Sequence, residues 1–258
     1  METIFNDVVI DGRRIETAWL EPANASAPSI VMLHEGLGSV ALWRDFPCRL
    51  AARTGCGILM YSRYGYGRSE PLAERRQVDY MHHEATVVLP EVLRRHRVVK
   101  PVLFGHSDGA SIALIYAGSF PDDPRGLVLE APHVFVEDLT VSGIKEAKRV
   151  FETGDWRAKL GRYHDDPEAT FWGWNDIWLD PRFRSWNIES YLTSIRCPVL
   201  VIQGRNDEYA TAAQVESIVA RVPASDAFLV PNCGHSPHRD RPEETLARVE
   251  SFLTALVD

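Results

Sequence analysis

The sequence predicts an α/β fold in which a mostly parallel sheet is covered by helices on both faces. Short apolar runs, many of them β-branched, alternate with longer amphipathic stretches: residues 30–33 precede 42–53, and 58–61 precede 78–95. The short runs are apolar throughout, which is typical of strands that are buried on both faces. Strands that alternate with helices indicate parallel pairing through crossover connections.

The remaining elements extend this pattern and interrupt it once. Residues 4–10 and 15–20 flank the turn pair Asp11-Gly12 and predict a β-hairpin. Strand and helix patterns continue to residue 129, stop after Ala131-Pro132 and resume with a strand at 198–203. The last elements are a helix at 211–221, a strand at 228–230 and a helix at 242–256. The middle stretch therefore indicates an insertion into one α/β domain, not a second domain.

Composition and charge exclude several classes of protein. The 258 residues are 45% hydrophobic, 25% charged and 10% aromatic, which excludes disordered, collagen-like and coiled-coil chains. A net charge of −8 without a basic run argues against a nucleic-acid partner. No apolar run approaches the ~18 residues that span a membrane, and the N-terminus lacks a signal-peptide pattern. The four cysteines form no CxxC pair, so we expect no zinc ribbon and a reducing, cytoplasmic location.

The segment Gly105-His106-Ser107-Asp108-Gly109 carries the strongest chemical signal. An apolar strand precedes it and a helix of small residues follows it directly. Glycines on both sides allow a serine to occupy a sharp, strained turn, and the helix N-terminus favours developing negative charge there. The pattern predicts that Ser107 is a nucleophile.

This strand, turn and helix resemble the nucleophile elbow of the α/β-hydrolase family. The resemblance implies a central, mostly parallel eight-stranded sheet with helices on both faces and a helical cap inserted after the sixth strand. It also implies that an acid and a histidine follow the serine in chain order. Asp207 follows the apolar strand at 199–203, and His235 follows the strand at 228–230. We therefore predict a catalytic triad of Ser107, His235 and Asp207.

Other side chains compete for the acid and base roles. Glu208 and Asp240 are further carboxylates near the predicted acid and base. Some members of the family carry the acid after the preceding strand, where Glu130 and Asp138 lie, so these two are candidates as well. His238 lies near His235, but Gly234-His235 matches the loop pattern of the family, and we expect His238 to be a supporting or surface residue. We expect His106 to pack behind the turn in a structural role.

The resemblance also implies an oxyanion hole made of two backbone N–H groups. One belongs to Asp108, directly after the nucleophile, and the other belongs to the loop after the third strand, at Gly36. That loop departs from the family because Glu35 stands where glycine is usual, so the donor is either Gly36 or Leu37. Glu35 is thereby expected near the cavity mouth, and His34 is expected to brace the loop.

Nucleotide and metal motifs are weak. Residues 61–69 resemble the Gly-x-Gly-x-Ser loop of the family, but they lack the third glycine and the helix start that a dinucleotide site needs. His82-His83-Glu84 is expected on a solvated helix face, since adjacent helical residues do not face one another. His235, His238 and Asp240 lack a partner cluster elsewhere in the sequence. We predict no cofactor and no bound metal.

The insertion, residues 133–191, is expected to form the cap, and residues 1–132 and 192–258 the core. Five of the seven tryptophans lie within it. Some of these rings are expected to face the cleft, although all five could instead attach the insertion to the body. The predicted substrate pocket consists of Leu37, His133, Trp172, Trp174 and Trp178. Its partner would be a small apolar or aromatic molecule, since tryptophan offers a large flat surface.

Together these features predict a cofactor-independent serine hydrolase that cleaves small carboxylic esters or lactones. The alternative on the same triad is hydrolysis of a C–C bond in a ring-cleavage product. A third hypothesis is a ligand-binding receptor with a relic triad. Glu35 and Asp108 argue against strongly anionic substrates, unless Arg63, Arg205 or Arg239 reverses the charge locally.

Overall fold

An eight-stranded sheet organises the protein in the computed structural model, which describes residues 3–24 and 27–256. β1 (Thr3–Ile10) and β2 (Arg13–Leu20) form the predicted hairpin. The other strands are β3 (Ser29–Leu33), β4 (Gly57–Tyr61), β5 (Val102–His106), β6 (Gly126–Glu130), β7 (Val199–Gly204) and β8 (Ser225–Val230). The strand order is β1-β2-β4-β3-β5-β6-β7-β8. All pairs from β4 to β8 are parallel, whereas β1 and β2 are antiparallel to their neighbours, as the sequence predicts.

The first helices agree with the sequence pattern apart from one irregularity. They are α1 (Phe46–Thr54), α2 (Tyr80–His83), α3 (Leu89–His96) and α4 (Asp108–Ser119). A π-helical turn, Glu84–Val88, joins α2 to α3, so the helix predicted at 78–95 is present but locally widened. The later helices are α5 (Asp138–Thr153), α6 (Trp156–Leu160), α7 (Pro167–Leu179), α8 (Glu189–Leu192), α9 (Ala212–Arg221), α10 (Pro237–Asp240) and α11 (Pro242–Ala255). Among the described residues, no helix combines the length and the apolar character needed to cross a membrane.

Alternate residues of the central strands enter two separate hydrophobic cores. In β3, Val31 and Leu33 belong to the first core, and Ile30 and Met32 belong to the second. Residues of α2, α3, α4 and α9 fill the first core, whereas residues of α1 and α11 fill the second. Burial on both faces explains why successive residues in the middle of these strands are apolar.

The prediction of a solvated face at residues 82–84 is wrong for Glu84. Its carboxylate is buried and accepts a hydrogen bond of 2.7 Å from the hydroxyl of Tyr61 in β4. His83, one residue earlier, is exposed. Successive helical residues point about 100° apart, so one can face solvent while the next faces the core.

Between β6 and β7 the chain forms α5, α6, α7 and α8, with a 3₁₀ helix at Pro181–Ser185. An isolated antiparallel bridge between Phe135 and Asn187 brings the two ends of this segment together. The last helix, α8, packs against α4 and α9 of the body. The exact limits of a cap, and its separation from the core, stay predictions.

Candidate active site

Ser107 stands at a strained turn between β5 and α4. Its backbone has φ 53° and ψ −114°, a conformation that non-glycine residues rarely adopt. The flanking glycines are required by close packing. A Cβ at Gly105 would lie 2.4 Å from the carbonyl oxygen of Gly109, and one at Gly109 would lie 2.0 Å from the carbonyl oxygen of Leu33. The turn therefore lies directly against β3, and the hydroxyl of Ser107 is held at the carboxyl ends of the strands.

The structure brings the three predicted triad residues together. His235 Nε2 lies 2.9 Å from Ser107 Oγ, and His235 Nδ1 lies 2.8 Å from Asp207 Oδ1. The same oxygen of Asp207 accepts hydrogen bonds from the backbone N–H groups of Tyr209 and Ala210. With Nδ1 donating to Asp207, Nε2 can accept the serine proton, which is the arrangement that activates a serine.

Asp207 is buried, and burial by itself would raise the pKa of its carboxyl group. The neighbouring His235 and the backbone donor at Tyr209 outweigh this effect and lower the pKa. Asp207 is therefore ionised at neutral pH and can hold the imidazole in one tautomer.

The other candidate acids have different partners. Glu130 lies 2.6 Å from His238 Nδ1, and Asp138 pairs with Arg184 on the surface. Glu208 accepts a hydrogen bond from the backbone N–H of His235, and Asp240 accepts one from that of Gly234. Both carboxylates therefore support the loop after β8 that carries His235, the histidine loop, and leave the ring of His235 free.

Backbone N–H groups of two segments border the same cavity as Ser107. Asp108 is the first residue of α4, so its N–H has no acceptor within the helix. In the loop after β3, neither Gly36 nor Leu37 donates its N–H to an acceptor in the described part of the chain. The loop is braced as expected, because His34 Nδ1 lies 2.7 Å from the carbonyl oxygen of Glu35. Both Gly36 and Leu37 stay candidates for the second oxyanion donor.

The side chain of Asp108 has a role that sequence reasoning missed. This carboxylate is almost fully buried, and it accepts hydrogen bonds from the hydroxyl of Tyr80, at 2.7 Å, and from the indole N–H of Trp178, at 3.2 Å. Arg63 lies 3.7 Å away. Asp108 therefore connects the nucleophile turn to α2 and α7.

His106 connects the loop after β3, which carries Glu35, to the loop after β8, which carries His235. Its Nε2 lies 2.7 Å from the carbonyl oxygen of His235, and its Nδ1 lies 3.5 Å from the carboxylate of Glu35. Burial opposes a positive charge on this ring, but the neighbouring carboxylate of Glu35 outweighs it and raises the pKa of His106. The pair favours an imidazolium that bridges the oxyanion loop and the histidine loop.

A second buried pair lies behind this one. His238 is buried against Glu130, contrary to the surface position considered from the sequence. Ligand atoms of His106, Glu130 and His238 lie within 4.8 Å of one another, so these three residues could in principle hold a metal ion. However, the Glu130–His238 contact is a hydrogen bond of 2.6 Å, and His106 Nε2 is used by the carbonyl of His235. Hydrogen bonding accounts for most of this cluster without an ion.

A cavity of about 460 Å³ opens over Ser107 and His235. Four of the predicted pocket residues line it: Leu37, His133, Trp174 and Trp178. Burial and the nearby His235 lower the pKa of His133 to about 3, so its ring is neutral. Further apolar lining comes from Leu42, Ile144, Trp156, Leu160, Tyr163 and Tyr209.

The structure places Trp172 outside this cavity, unlike the other four predicted pocket residues. Its indole N–H donates to Glu168, and its ring packs edge-on against Phe151 and Phe171. The cause is helical geometry. Trp172 and Trp174 of α7 point about 160° apart, whereas Trp174 and Trp178 lie within about 40° of each other.

Comparison with known proteins identifies the class. The profile described as "Alpha/beta hydrolase family" matches residues 30–249, and the chain belongs to this family. Proline iminopeptidase of Levilactobacillus brevis is 26% identical over 270 residues, covering 88% of each chain. The sn-1-specific diacylglycerol lipase ABHD11 of mouse is 26% identical over 274 residues, covering 89% of this chain and 82% of the lipase. A Comamonas testosteroni 2-hydroxy-6-oxononadienedioate/2-hydroxy-6-oxononatrienedioate hydrolase is 20% identical, covering 80% and 81%.

Solved structures agree with this fold. Proline iminopeptidase of Mycobacterium smegmatis superposes with a TM-score of 0.79 at 18% identity, covering 98% of this chain and 99% of that one. The esterase EaEST of Exiguobacterium antarcticum gives 0.78 at 18% identity, with 97% and 100% covered. The enol-lactonase of Burkholderia xenovorans LB400 gives 0.76 at 17% identity, with 96% and 100% covered. These likenesses support the fold, whereas membership of the family makes the chain an enzyme of the hydrolase class.

Proposed function

We propose that this hydrolase cleaves small carboxylic esters or lactones through an acyl-enzyme on Ser107. The observation that carries the proposal is the continuous hydrogen-bonded path from Ser107 Oγ through His235 to Asp207, with distances of 2.9 and 2.8 Å. His235 takes the serine proton as Ser107 attacks the carbonyl carbon, and it returns the proton to the leaving alkoxide. Asp207 stabilises the imidazolium that forms.

Backbone N–H groups and the cavity wall supply contacts for the oxyanion and for the substrate in this mechanism. The N–H groups of Asp108 and of Gly36 or Leu37 stabilise the negative oxygen of the tetrahedral intermediate. Water then attacks the acyl-enzyme with His235 as base and releases the acid. In this proposal residues 133–191 act as the cap, and Trp174 and Trp178 hold an apolar or aromatic part of the substrate.

Labelling of Ser107 tests the proposal. A fluorophosphonate is expected to label the wild-type enzyme, and Ser107→Ala is expected to lose both labelling and turnover of aryl acetates by at least about 10³-fold. The variant Ser111→Ala, changed one turn further along α4, serves as a matched control. Robust ester turnover by Ser107→Ala would exclude the proposed nucleophile.

A second candidate function is hydrolysis of a C–C bond. It is supported by the similarity to the Comamonas testosteroni hydrolase, whose name refers to such a ring-cleavage product. The same triad and cavity would serve this reaction. Steady-state rates on aryl esters, lactones and vinylogous 1,5-diketones distinguish the two, because a C–C hydrolase would prefer the diketone by kcat/KM.

A further inference from the structure

The mouth of the active-site cavity has a charge opposite to that of the whole protein. Of the residues that line the cavity, the exposed ones are Arg44, Lys159, Arg162 and Arg239, and the rest are buried or half-buried. These four residues form what we call the basic rim. The chain has 36 acidic against 28 basic residues, a net charge of −8, so a rim made of basic residues alone runs against the composition.

The basic rim is assembled from three separate parts of the chain. Arg44 follows the 3₁₀ helix Val40–Trp43, Lys159 and Arg162 lie in and just after α6, and Arg239 lies in α10. The sequence offered Arg63, Arg205 and Arg239 as possible sources of local positive charge. Of these three, only Arg239 lines the cavity. Arg63 is buried, and its guanidinium donates to the carbonyl oxygen of Glu35 in the loop after β3.

Three of these four side chains have no charged partner in the part of the chain that the structure describes. Within residues 3–24 and 27–256, the side chains of Arg44, Arg162 and Arg239 make no ion pair and no hydrogen bond, whereas Lys159 pairs with Asp155. Arg162 is close enough to Asp155 to contribute to lowering the pKa of that carboxyl group. A carboxylate that could neutralise the rim from inside is already engaged, since Glu35 faces His106 and Asp108 is buried among donors.

Arg44 is also held in an unusual backbone conformation. Its φ of 54° and ψ of −126° are close to those of Ser107, which has 53° and −114°. Non-glycine residues pay an energetic cost in this region, and such strain persists where the surrounding structure imposes it, often at ligand sites. Here the strained residue carries a free cation at the cavity mouth.

We propose that the substrate carries a carboxylate or phosphate group remote from the scissile bond, and that the basic rim binds this group. This inference rests on the proposed ester or lactone hydrolysis and specifies its substrate class. The apolar wall of tryptophan, tyrosine and leucine side chains holds the neutral body of the substrate, while the anion stays at the solvent edge near the four cations. A positive rim also concentrates anionic substrates at the mouth, an effect that salt weakens.

Matched substrates test the inference. para-Acetoxybenzoate and para-acetoxyphenyl phosphate carry the anion on the leaving group, and para-acetoxybenzamide is the neutral counterpart. para-Nitrophenyl hydrogen glutarate carries it on the acyl group, with the corresponding amide as counterpart. We expect kcat/KM to be higher for at least one anionic member than for its neutral counterpart, and to fall with added salt only for the anion. The pair with the larger ratio of anionic to neutral kcat/KM shows whether the rim prefers a carboxylate or a phosphate. It also shows whether the anion belongs to the acyl group or to the leaving group.

Rim variants assign the effect to these residues. Arg44→Gln and Arg239→Gln are each expected to lower kcat/KM for the preferred anion by up to about fivefold, and to lower it more for the anion than for its neutral counterpart. Arg125→Gln is the matched control, because Arg125 is exposed and precedes β6, at the amino end of the strand, whereas Ser107 follows the carboxyl end of β5. Equal rates on charged and neutral esters, or equal losses in the control, would overturn the inference while the proposed hydrolysis stands.

A binding measurement separates the two proposals. Calorimetric titration of the Ser107→Ala variant with para-acetoxybenzoate, para-acetoxyphenyl phosphate and para-acetoxybenzamide needs no turnover. Tighter binding of an anion, reversed by Arg44→Gln together with Arg239→Gln, supports the rim even if no ester is cleaved. Identical affinities for all three compounds contradict it.

Discussion

Two buried side chains at the candidate active site, His106 and Asp108, each contact two different segments of the chain. His106 is the clearest case, because one ring nitrogen faces Glu35 in the oxyanion loop and the other meets the carbonyl of His235. Asp108 likewise receives Tyr80 and Trp178 on its two oxygens. Such buried polar pairs are costly when half-satisfied and rigid when complete, so they fix the loops that carry the reacting groups.

His106→Gln is expected to reduce stability in a pH-dependent way. The folded state raises the pKa of His106 above its ordinary value near 6.5. Its stabilising contribution is therefore complete below about pH 6.5 and disappears as the pH rises through the folded pKa. The difference in unfolding free energy between wild type and variant, from urea titrations, should be largest at acidic pH, at roughly 1–3 kcal/mol.

The groups that face His106 are Glu35 from the loop after β3, Glu130 from β6, His238 from α10 and His235 from the loop after β8. Glu35 does not titrate independently of His106: burial would raise the pKa of its carboxyl group, but His106 outweighs this effect and lowers it. The two proteins are therefore compared between about pH 5 and 8, above the range in which an ordinary glutamate titrates. Glu35→Gln should remove the same pH-dependent part, and the double variant should add little to it. A constant difference across pH would show that folding leaves the pKa of His106 unchanged, and a difference that grows with rising pH would show that the folded protein keeps this ring neutral.

At the scale of elements, α7 shows how one helix can serve two surfaces. Trp174 and Trp178 face the catalytic cavity, whereas Trp172 faces Glu168 and Phe151 on another side. Gly36 permits this packing, because a Cβ there would lie 2.1 Å from the indole nitrogen of Trp174. The oxyanion loop and α7 therefore touch directly.

Trp174→Leu is expected to lower kcat/KM for aryl esters by roughly tenfold, the scale of one lost aromatic contact with the substrate. Trp172→Leu provides the matched control, since it makes the same change two residues away on the other face of α7. It should leave kcat/KM within about twofold while lowering stability. Steady-state kinetics on phenyl and short alkyl acetates measure the effect. A similar loss for both variants would mean that α7 acts only through its overall placement.

Features that depend on residues adjacent in the sequence could be predicted from it. The path from β5 through Ser107 into α4 follows from adjacent residues, and the order of strand ends places Asp207 and His235 near it. The direction of Trp172 and the burial of Glu84 and His238 were not predictable in this way. They depend on which side of a helix meets which neighbour, and on the π-helical turn, which local patterns do not specify.

At the scale of the whole molecule, the parallel sheet gathers polar groups at one edge and buries several of them. His34 and His133 are both buried with strongly lowered pKa values, chiefly because burial disfavours the charged ring. Both are neutral in the folded protein but become protonated in the unfolded chain at mildly acidic pH. At these two sites the unfolded state therefore binds more protons, and their contribution to folding stability falls as the pH decreases.

His133→Gln is expected to make the protein more resistant to acid. The folded pKa of His133, about 3, lies below its ordinary value of 6.5, so its contribution to stability is complete above pH 6.5 and is lost as the pH falls below it. Each such histidine adds a slope of about 1.4 kcal/mol per pH unit. Its Nδ1 has no hydrogen-bond partner among the described residues, so glutamine removes the titration without breaking a bond at that atom. Urea unfolding from pH 7 to pH 4 should show a shallower decline for His133→Gln, and Ser107→Ala, which keeps His133, should follow the wild type. Parallel curves for all three proteins would mean that His133 takes up its proton in the folded state.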